Sequence, residues 1–187
     1  MFHFFTITSL ASPQVGDDII RHVSTCPIIA LAFAAAGLFP SDLPRESIAD
    51  RVLVQKSART LTLLNSGRTL KTYRVSLGAQ PQGPKTQQGD HKTPEGIYIL
   101  DRRNQNSQFY KSIHISYPSS QDRARAKKLG VSPGGDIYLH GLPNGYGWIR
   151  EGHRIKDWTD GCIAVTNDEM DEIWRAVPDG TAIEIRP

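Results

Sequence analysis

Residues 159–165 read TDGCIAV, and upstream of Cys162 stands His140, in the run IYLHG at residues 137–141. The run that ends at His140 has the apolar, β-branched character of a short strand, and Gly161 lets the backbone approach a bound molecule closely. A thiol is a useful nucleophile only when a base takes its proton, because a free cysteine titrates near ~8.5. The pattern therefore predicts Cys162 as a nucleophile with His140 as its general base. For either residue alone, a buried structural role is the alternative.

The neighbours of this pair predict the other parts of an acyl-transfer site. The backbone amides of Gly161 and Cys162 are candidates for stabilising a developing oxyanion, an interaction worth roughly 3 kcal/mol per donor. A catalytic histidine also needs a group that orients its ring. The candidates for that group are Asp157, Asp160 and the backbone carbonyl of Gly141.

Residues 141–161 are predicted to form a long loop between the two residues, because they contain one proline and several glycines. Loops of this length without regular structure are usually functional. Its basic residues are candidates for binding a substrate carboxylate, and a solvated loop face is the alternative: Arg150, Arg154 and Lys156. Three further loop residues are candidates for lining a cleft: Trp148, His153 and Trp158. The alternative for His153 is a surface position, and the alternative for the two tryptophans is packing that pins the loop to the sheet.

Outside this region the pattern predicts a mainly β domain with two short helices. Segments with β-branched alternation, bounded by turn residues, predict strands. They are residues 51–56, 59–64, 70–77, 97–100, 111–117, 136–140 and 181–185. Ser119 or Ser120 is predicted to cap a helix that Gly130 ends, and Asn167 to cap a second helix with acidic residues in its first turn.

The first 44 residues are predicted to be an export signal or short anchor with a linker, and residues 45–187 the catalytic domain. Residues 28–39 are an apolar run bounded by prolines, shorter than the roughly 20 residues that span a bilayer. The run of alanines at 34–36 suits a cleavage site. Export to the periplasm or cell envelope is the expectation, and a buried helix is the alternative.

Composition excludes several classes of function. The formal charge is +3, and because residues 1–44 carry −2, the rest of the chain carries +5, which suits an anionic substrate. No basic run with interleaved aromatic residues indicates nucleic acid. The chain has 2 cysteines, Cys26 and Cys162, which is too few for a disulfide framework or a zinc ribbon.

The order of a histidine, a spacer and Thr-x-Gly-Cys resembles the catalytic domain of the L,D-transpeptidases, the YkuD-like family of cell-wall enzymes. The matching residues are His140, Thr159, Gly161 and Cys162. Residues 74–78, 92–96 and 180–185 also resemble the strands and turns of this family, so that the resemblance covers about residues 50–187. It implies a β-sandwich with Cys162 in a cleft, His140 as the base and the backbone near Gly161 as the oxyanion hole. Candidate substrate-binding residues are then Gly141, Thr159, Asp160, Arg150 and Arg154.

The resemblance implies acyl transfer on peptidoglycan stem peptides through a thioester, giving L,D cross-links or attaching a lipoprotein to the wall, without metal or cofactor. Asp160 stands where the family often has a basic residue, and Ala164 where it often has a polar one. With water as acceptor, the same site gives an L,D-carboxypeptidase or a hydrolase that releases attached protein. The rivals of other classes are a non-catalytic wall-binding module and a metallohydrolase using His140, His153 and Cys162.

Overall fold

A computed structural model describes residues 42–187, so the predicted export segment and Cys26 lie outside the described residues. Eight strands and three helical segments follow one another in this part of the chain. The strands are β1 (Arg51–Gln55), β2 (Thr60–Asn65), β3 (Arg68–Arg74), β4 (Gly96–Ser107), β5 (Tyr110–Ile115), β6 (Tyr138–His140), β7 (Ile163–Ala164) and β8 (Thr181–Arg186). The helices are α1 (Ser120–Leu129), a 3₁₀ segment (Gly147–Ile155) and α2 (Asn167–Ala176).

All eight strands belong to one sheet that curls back on itself. Their order is β3-β2-β1-β8-β4-β5-β6-β7, with the last strand of the chain, β8, placed in the middle between β1 and β4. Just beyond β3, Ser76 and Ala164 of β7 exchange two backbone hydrogen bonds, of 3.0 and 2.9 Å. The two ends of the sheet therefore meet at this seam. The mainly β fold expected from the resemblance is confirmed, as a curled sheet with a third, 3₁₀, helical segment.

The core lies inside the curled sheet and under α2. In β1, Val52 and Val54 are buried while their neighbours are exposed or half-buried, which is the period-2 pattern of a strand with one covered face. Helix α2 covers the sheet with Met170, Ile173 and Ala176, which recur at helical spacing. Removing these apolar side chains from water is the main force that holds the sheet curled.

Capping residues define both α-helices. Ser119 accepts a hydrogen bond from the Asp122 amide and Gly130 ends α1 in the left-handed conformation, as predicted. The predicted cap of α2, Asn167, is wrong by one residue, because Thr166 forms the capping box with Glu169. The Asn167 side chain instead accepts a hydrogen bond from the Leu142 amide at 2.9 Å, which holds the chain directly after His140.

A buried lysine fixes the polar loop before β4. The Lys56 ammonium donates to the carbonyls of Gly83 and Thr93, at 2.7 and 2.9 Å, and to the Glu95 carboxylate at 2.9 Å. Burial lowers the pKa of Lys56, and the Glu95 carboxylate opposes that shift. This loop forms one side of the Gly161 turn. Within residues 42–187, no helix has the length and apolar character needed to cross a bilayer.

Candidate active site

The parallel pair β6 and β7 brings the predicted nucleophile and base to one face of the sheet. Leu139 lies opposite Ile163, and both point into the core. Because side chains alternate along strands, His140 of β6 and Cys162, one residue before β7, take the other face. There they line the same cavity of about 730 Å³.

His140 is held as a neutral imidazole by its burial and its backbone partner. The side chain is 3% exposed, and Nδ1 lies 2.7 Å from the Gly141 carbonyl oxygen. A carbonyl only accepts hydrogen bonds, so Nδ1 carries the proton and Nε2 keeps its lone pair. Burial lowers the pKa of His140 to about 4, although the Gly141 carbonyl acts in the opposite direction. At neutral pH the ring is therefore ready to accept a proton at Nε2.

The ring of His140 packs against two aromatic side chains, Phe109 and Trp158, with centroid distances of 4.6 and 5.9 Å. Neither aspartate considered as an orienting partner contacts it. Asp157 accepts hydrogen bonds from Arg59 and from the Leu77 amide, and Asp160 accepts one from His91. The Gly141 carbonyl thus takes the orienting role.

Cys162 is a protonated thiol in the resting site. Burial raises its pKa to about 11, and the carboxylates of Asp160 and Asp136 act in the same direction. The Tyr138 amide donates to Sγ at 3.4 Å, which favours the thiolate and limits the rise. Thiol and imidazole are both neutral at pH 7. Nucleophilic attack from this state would need a base that takes the thiol proton as the sulfur reacts, rather than a preformed ion pair.

Thr159 shapes the turn before the cysteine from the inside. Its hydroxyl donates to the Cys162 carbonyl at 2.7 Å and accepts a hydrogen bond from the Gly161 amide at 3.1 Å. The Thr159 hydroxyl therefore forms its hydrogen bonds within the turn rather than with a substrate. The Gly161 amide is likewise occupied and does not face an oxyanion. The Cys162 amide has no hydrogen-bond partner among residues 42–187, and it is the donor that remains for that purpose.

Gly161 is the residue of this turn that tolerates substitution least. Its φ of +123° disfavours any side chain, and a Cβ atom here would lie 2.6 Å from the Lys92 carbonyl oxygen. Gly67 also has a positive φ, of +77°, but a Cβ there meets nothing within 4 Å. Gly67 thus has a positive φ without a clash, whereas Gly161 combines a φ outside the region that L residues adopt with a backbone clash.

We expect Gly161→Ala to destabilise the fold by about 3 kcal/mol or more and to displace Cys162, because the clash adds to the strain. Gly67→Ala is the matched control, with a loss of about 1–2 kcal/mol from strain alone. Chemical denaturation and the acylation rate of Cys162 measure both effects. Equal unfolding free energies for the two variants would contradict the clash.

The two arginines predicted to bind substrate, Arg150 and Arg154, lie outside the Cys162 cavity. Arg150 and Arg154 pair with Asp168 and Glu169 in the first turn of α2, at 2.9 and 2.5 Å. They do not line the Cys162 cavity, whereas Asp160 does. The sequence could not reveal these ion pairs, because they depend on how the 141–161 loop packs on α2.

Of the other loop residues, Trp158 lines the cavity and Trp148 is 76% exposed. His153 is buried rather than at the surface, with Nδ1 3.1 Å from the Ser76 hydroxyl beside the seam. Burial lowers its pKa to about 4, assisted by Arg154. Among residues 42–187, no group of three or more His, Cys, Asp or Glu side chains is arranged to hold a metal ion. The metallohydrolase alternative therefore has no ligand set in this region.

The opposite wall of the cavity was not predicted from the sequence. This wall is built largely by the polar end of β4 and the start of β5, with Ser112 of β5 paired in register with His140. Its residues are Asn104, Asn106, Ser107, Gln108, Phe109 and Ser112. The signal in the sequence was the polar run at residues 101–107, which continues the strand predicted at residues 97–100. Tyr138 and Asp136 also line the cavity, and the alternation along β6 places Tyr138 on the face of His140.

Similarity to known proteins covers most of the described residues. A sequence profile of the L,D-transpeptidase catalytic domain (YkuD) matches residues 49–185. YafK of Escherichia coli (strain K12), named as a candidate L,D-transpeptidase, is 32% identical over 134 residues, which are 67% of this chain and 46% of YafK. YqjB of Bacillus subtilis (strain 168), named in the same way, is 27% identical over 135 residues, 72% of this chain and 69% of YqjB.

Among solved structures, the helical cell shape determining protein Pgp2 from Campylobacter jejuni superposes with a TM-score of 0.58 and 26% identity. The match covers 75% of this chain and 48% of Pgp2. The chain thus spans about half the length of both YafK and Pgp2.

Proposed function

Because the chain belongs to the L,D-transpeptidase catalytic domain family, we propose that it transfers acyl groups of peptidoglycan stem peptides through a thioester on Cys162. The observation that carries this proposal is the shared cavity of Cys162 and His140, with Nδ1 of the imidazole fixed on the Gly141 carbonyl. A fixed neutral base that shares a cavity with a protonated thiol is the pair of groups that nucleophilic acyl transfer requires.

Acylation begins when Nε2 of His140 takes the thiol proton and Sγ attacks the carbonyl carbon at the L-centre of a diamino-acid residue. The Cys162 amide stabilises the oxyanion of the tetrahedral intermediate. The intermediate collapses to a thioester, and the terminal D-amino acid leaves with the proton that His140 returns to its nitrogen. The thioester is then open to attack by an acceptor.

An acceptor amine completes the transfer by attacking the thioester and losing a proton, and the sulfur leaves as the thiol. The products are an L,D cross-link or, with a lysine of a lipoprotein as acceptor, a protein attached to the wall. No step requires a metal or cofactor.

Hydrolysis is the second candidate, and the charge of the cavity favours it. Asp136 and Asp160 both line the cavity, and carboxylates keep a nearby amine in its protonated, non-nucleophilic form. Water needs no such deprotonation before it is activated by His140. The same thioester would then give an L,D-carboxypeptidase, or a hydrolase that frees attached protein.

The proposed site of action is the cell envelope, with residues 1–44 as export signal or short anchor and residues 45–187 as the catalytic domain. The substrate of the family, the wall peptide, supports this placement. Pgp2 is described as determining helical cell shape, and by analogy the reaction is proposed to affect cell shape here as well.

The test is to incubate the full chain with a stem tetrapeptide ending in a D-amino acid, with and without an acceptor stem. Intact-protein mass spectrometry detects the thioester, and chromatography detects the released D-amino acid and any dimer. A dimer supports transfer, and the tripeptide alone supports hydrolysis. A folded protein that forms no thioester and releases no D-amino acid would contradict the proposal and favour the wall-binding module.

A further inference from the structure

The cavity that holds Cys162 is acidic, although the chain as a whole is basic. Asp136 and Asp160 line it, and among residues 42–187 no lysine or arginine does. The remaining polar lining is neutral and comes mainly from the end of β4 and the start of β5. A cavity with this charge disfavours anionic groups and attracts a cation.

Neither carboxylate is neutralised by a lysine or arginine in the described part of the chain. Asp160 has an 89% exposed side chain and accepts a hydrogen bond from Nδ1 of His91 at 2.7 Å, which orients the carboxylate. Within residues 42–187 the Asp136 carboxylate has one long contact, of 3.4 Å, from the Tyr138 hydroxyl, while the Asp136 backbone carbonyl accepts from the Cys162 thiol at 3.7 Å. The positive charge of Lys85 acts to lower the pKa of the Cys162 thiol. Its ammonium, however, donates a hydrogen bond to the Asp90 carboxylate at 2.7 Å.

A second observation marks this acidic region as a ligand site. His140 is only 3% exposed, and its side chain lines the cavity. Its Nδ1 is used by Gly141, while Nε2 has no hydrogen-bond partner within residues 42–187. An unpartnered nitrogen on a buried side chain, in the same cavity as a thiol, is a point where a reacting group can bind.

We propose that Asp136 and Asp160 bind the free side-chain ammonium of the donor diamino-acid residue, so that the enzyme selects stems whose amine is unsubstituted. This inference rests on the proposed function, since it concerns the substrate of the same thiol. The reacting carbonyl and the ammonium belong to one residue and are joined by a short aliphatic chain. When Sγ attacks that carbonyl, the ammonium therefore remains within the cavity.

Acylation of the side-chain amine, as occurs when a stem is already cross-linked through it, removes the positive charge. Such a donor loses the attraction of both carboxylates and adds bulk to the cavity. Because the carboxylates are exposed, each contributes modestly, and together they produce a preference rather than an absolute requirement. The cavity thus distinguishes free stems from stems that have served as acceptors.

The test compares two donor tetrapeptides that differ only at the side-chain amine, one free and one N-acetylated. The measured quantity is kcat/KM for release of the D-amino acid, with the thioester followed by mass spectrometry. We expect the full-length protein to prefer the free amine by about tenfold or more, and Asp160→Asn or Asp136→Asn to reduce that ratio about threefold to fivefold each. Asp168→Asn, which removes an exposed carboxylate on α2 outside the cavity, is the matched control and leaves the ratio unchanged.

The ratio is the decisive quantity, because losing a carboxylate near Sγ also favours the thiolate and accelerates both donors alike. Thioester formation at equal rates from the two donors would overturn the inference and leave the proposed function standing. An equal change of the ratio in Asp168→Asn and Asp160→Asn would overturn recognition within the cavity. Failure of both donors to form a thioester would overturn the proposed function and this inference with it.

Discussion

Replacing Cys162 by alanine is expected to abolish covalent capture of an acyl donor. A carbapenem is a suitable probe, because its strained β-lactam carbonyl acylates a nucleophile and the ring-opened product stays attached. The full-length protein should gain one carbapenem mass, and Cys162→Ala should gain none, a loss beyond about a thousandfold in rate. Intact-protein mass spectrometry at several times gives both the stoichiometry and the rate.

Cys26→Ala is the matched control for this experiment, because Cys26 is the other thiol in the chain. It should keep the adduct and the rate of the unaltered protein. A thermal unfolding curve of Cys162→Ala close to that of the parent shows that the fold is intact. Persistence of the adduct in Cys162→Ala would contradict the assignment of the nucleophile.

Replacing His140 by glutamine should lower the acylation rate of Cys162 by about 10²–10⁴-fold near neutral pH, the usual contribution of a positioned general base. The parent should lose its rate on the acid side only near pH 4, because the pKa of His140 is lowered to about 4. In His140→Gln only the thiolate reacts, and the pKa of Cys162 is raised to about 11. Its rate should therefore rise about tenfold per pH unit below that value.

Stability gives an independent check on the same histidine. Its pKa is about 4 in the folded protein and 6.5 in a model peptide, so the unfolded chain binds the proton first as the pH falls. Stability contributed by neutral His140 is fully present above about pH 6.5 and is lost as the pH falls towards 4. His140→Gln should weaken this acid dependence in chemical denaturation.

In the rate experiment, a pH profile of the acylation rate for His140→Gln that matches the parent would exclude His140 as the base.

Sequence patterns predicted the parts of this molecule that depend on local rules. The alternation of β1 and the left-handed cap at Gly130 are visible in the residues themselves. The strand that ends at His140 was predicted as well, whereas the short strand β7 and its parallel pairing with β6, which place Cys162 and His140 in one cavity, were not.

The features that local patterns did not predict depend on contacts between distant segments. The sequence suggested that the Gly161 amide could stabilise an oxyanion. In the structure this amide donates its hydrogen bond to the Thr159 hydroxyl instead. Arg150 and Arg154 were predicted to bind a substrate carboxylate. In the structure the loop packs on the acidic first turn of α2, and both arginines form ion pairs there. The missed wall at the end of β4 follows from sheet register, which a single polar run does not specify.

The seam between Ser76 and Ala164 makes reactivity a property of the finished molecule. The two-residue strand β7 is held by β6 on one side and by the segment after β3 on the other, and these partners come from far apart in the chain. Pairing of such distant segments is slow and is completed late in folding. A chain in which this seam has not formed therefore carries a thiol without the cavity that Cys162 shares with His140 in the folded protein. The environment of Cys162 is thus complete only when the two ends of the sheet have met.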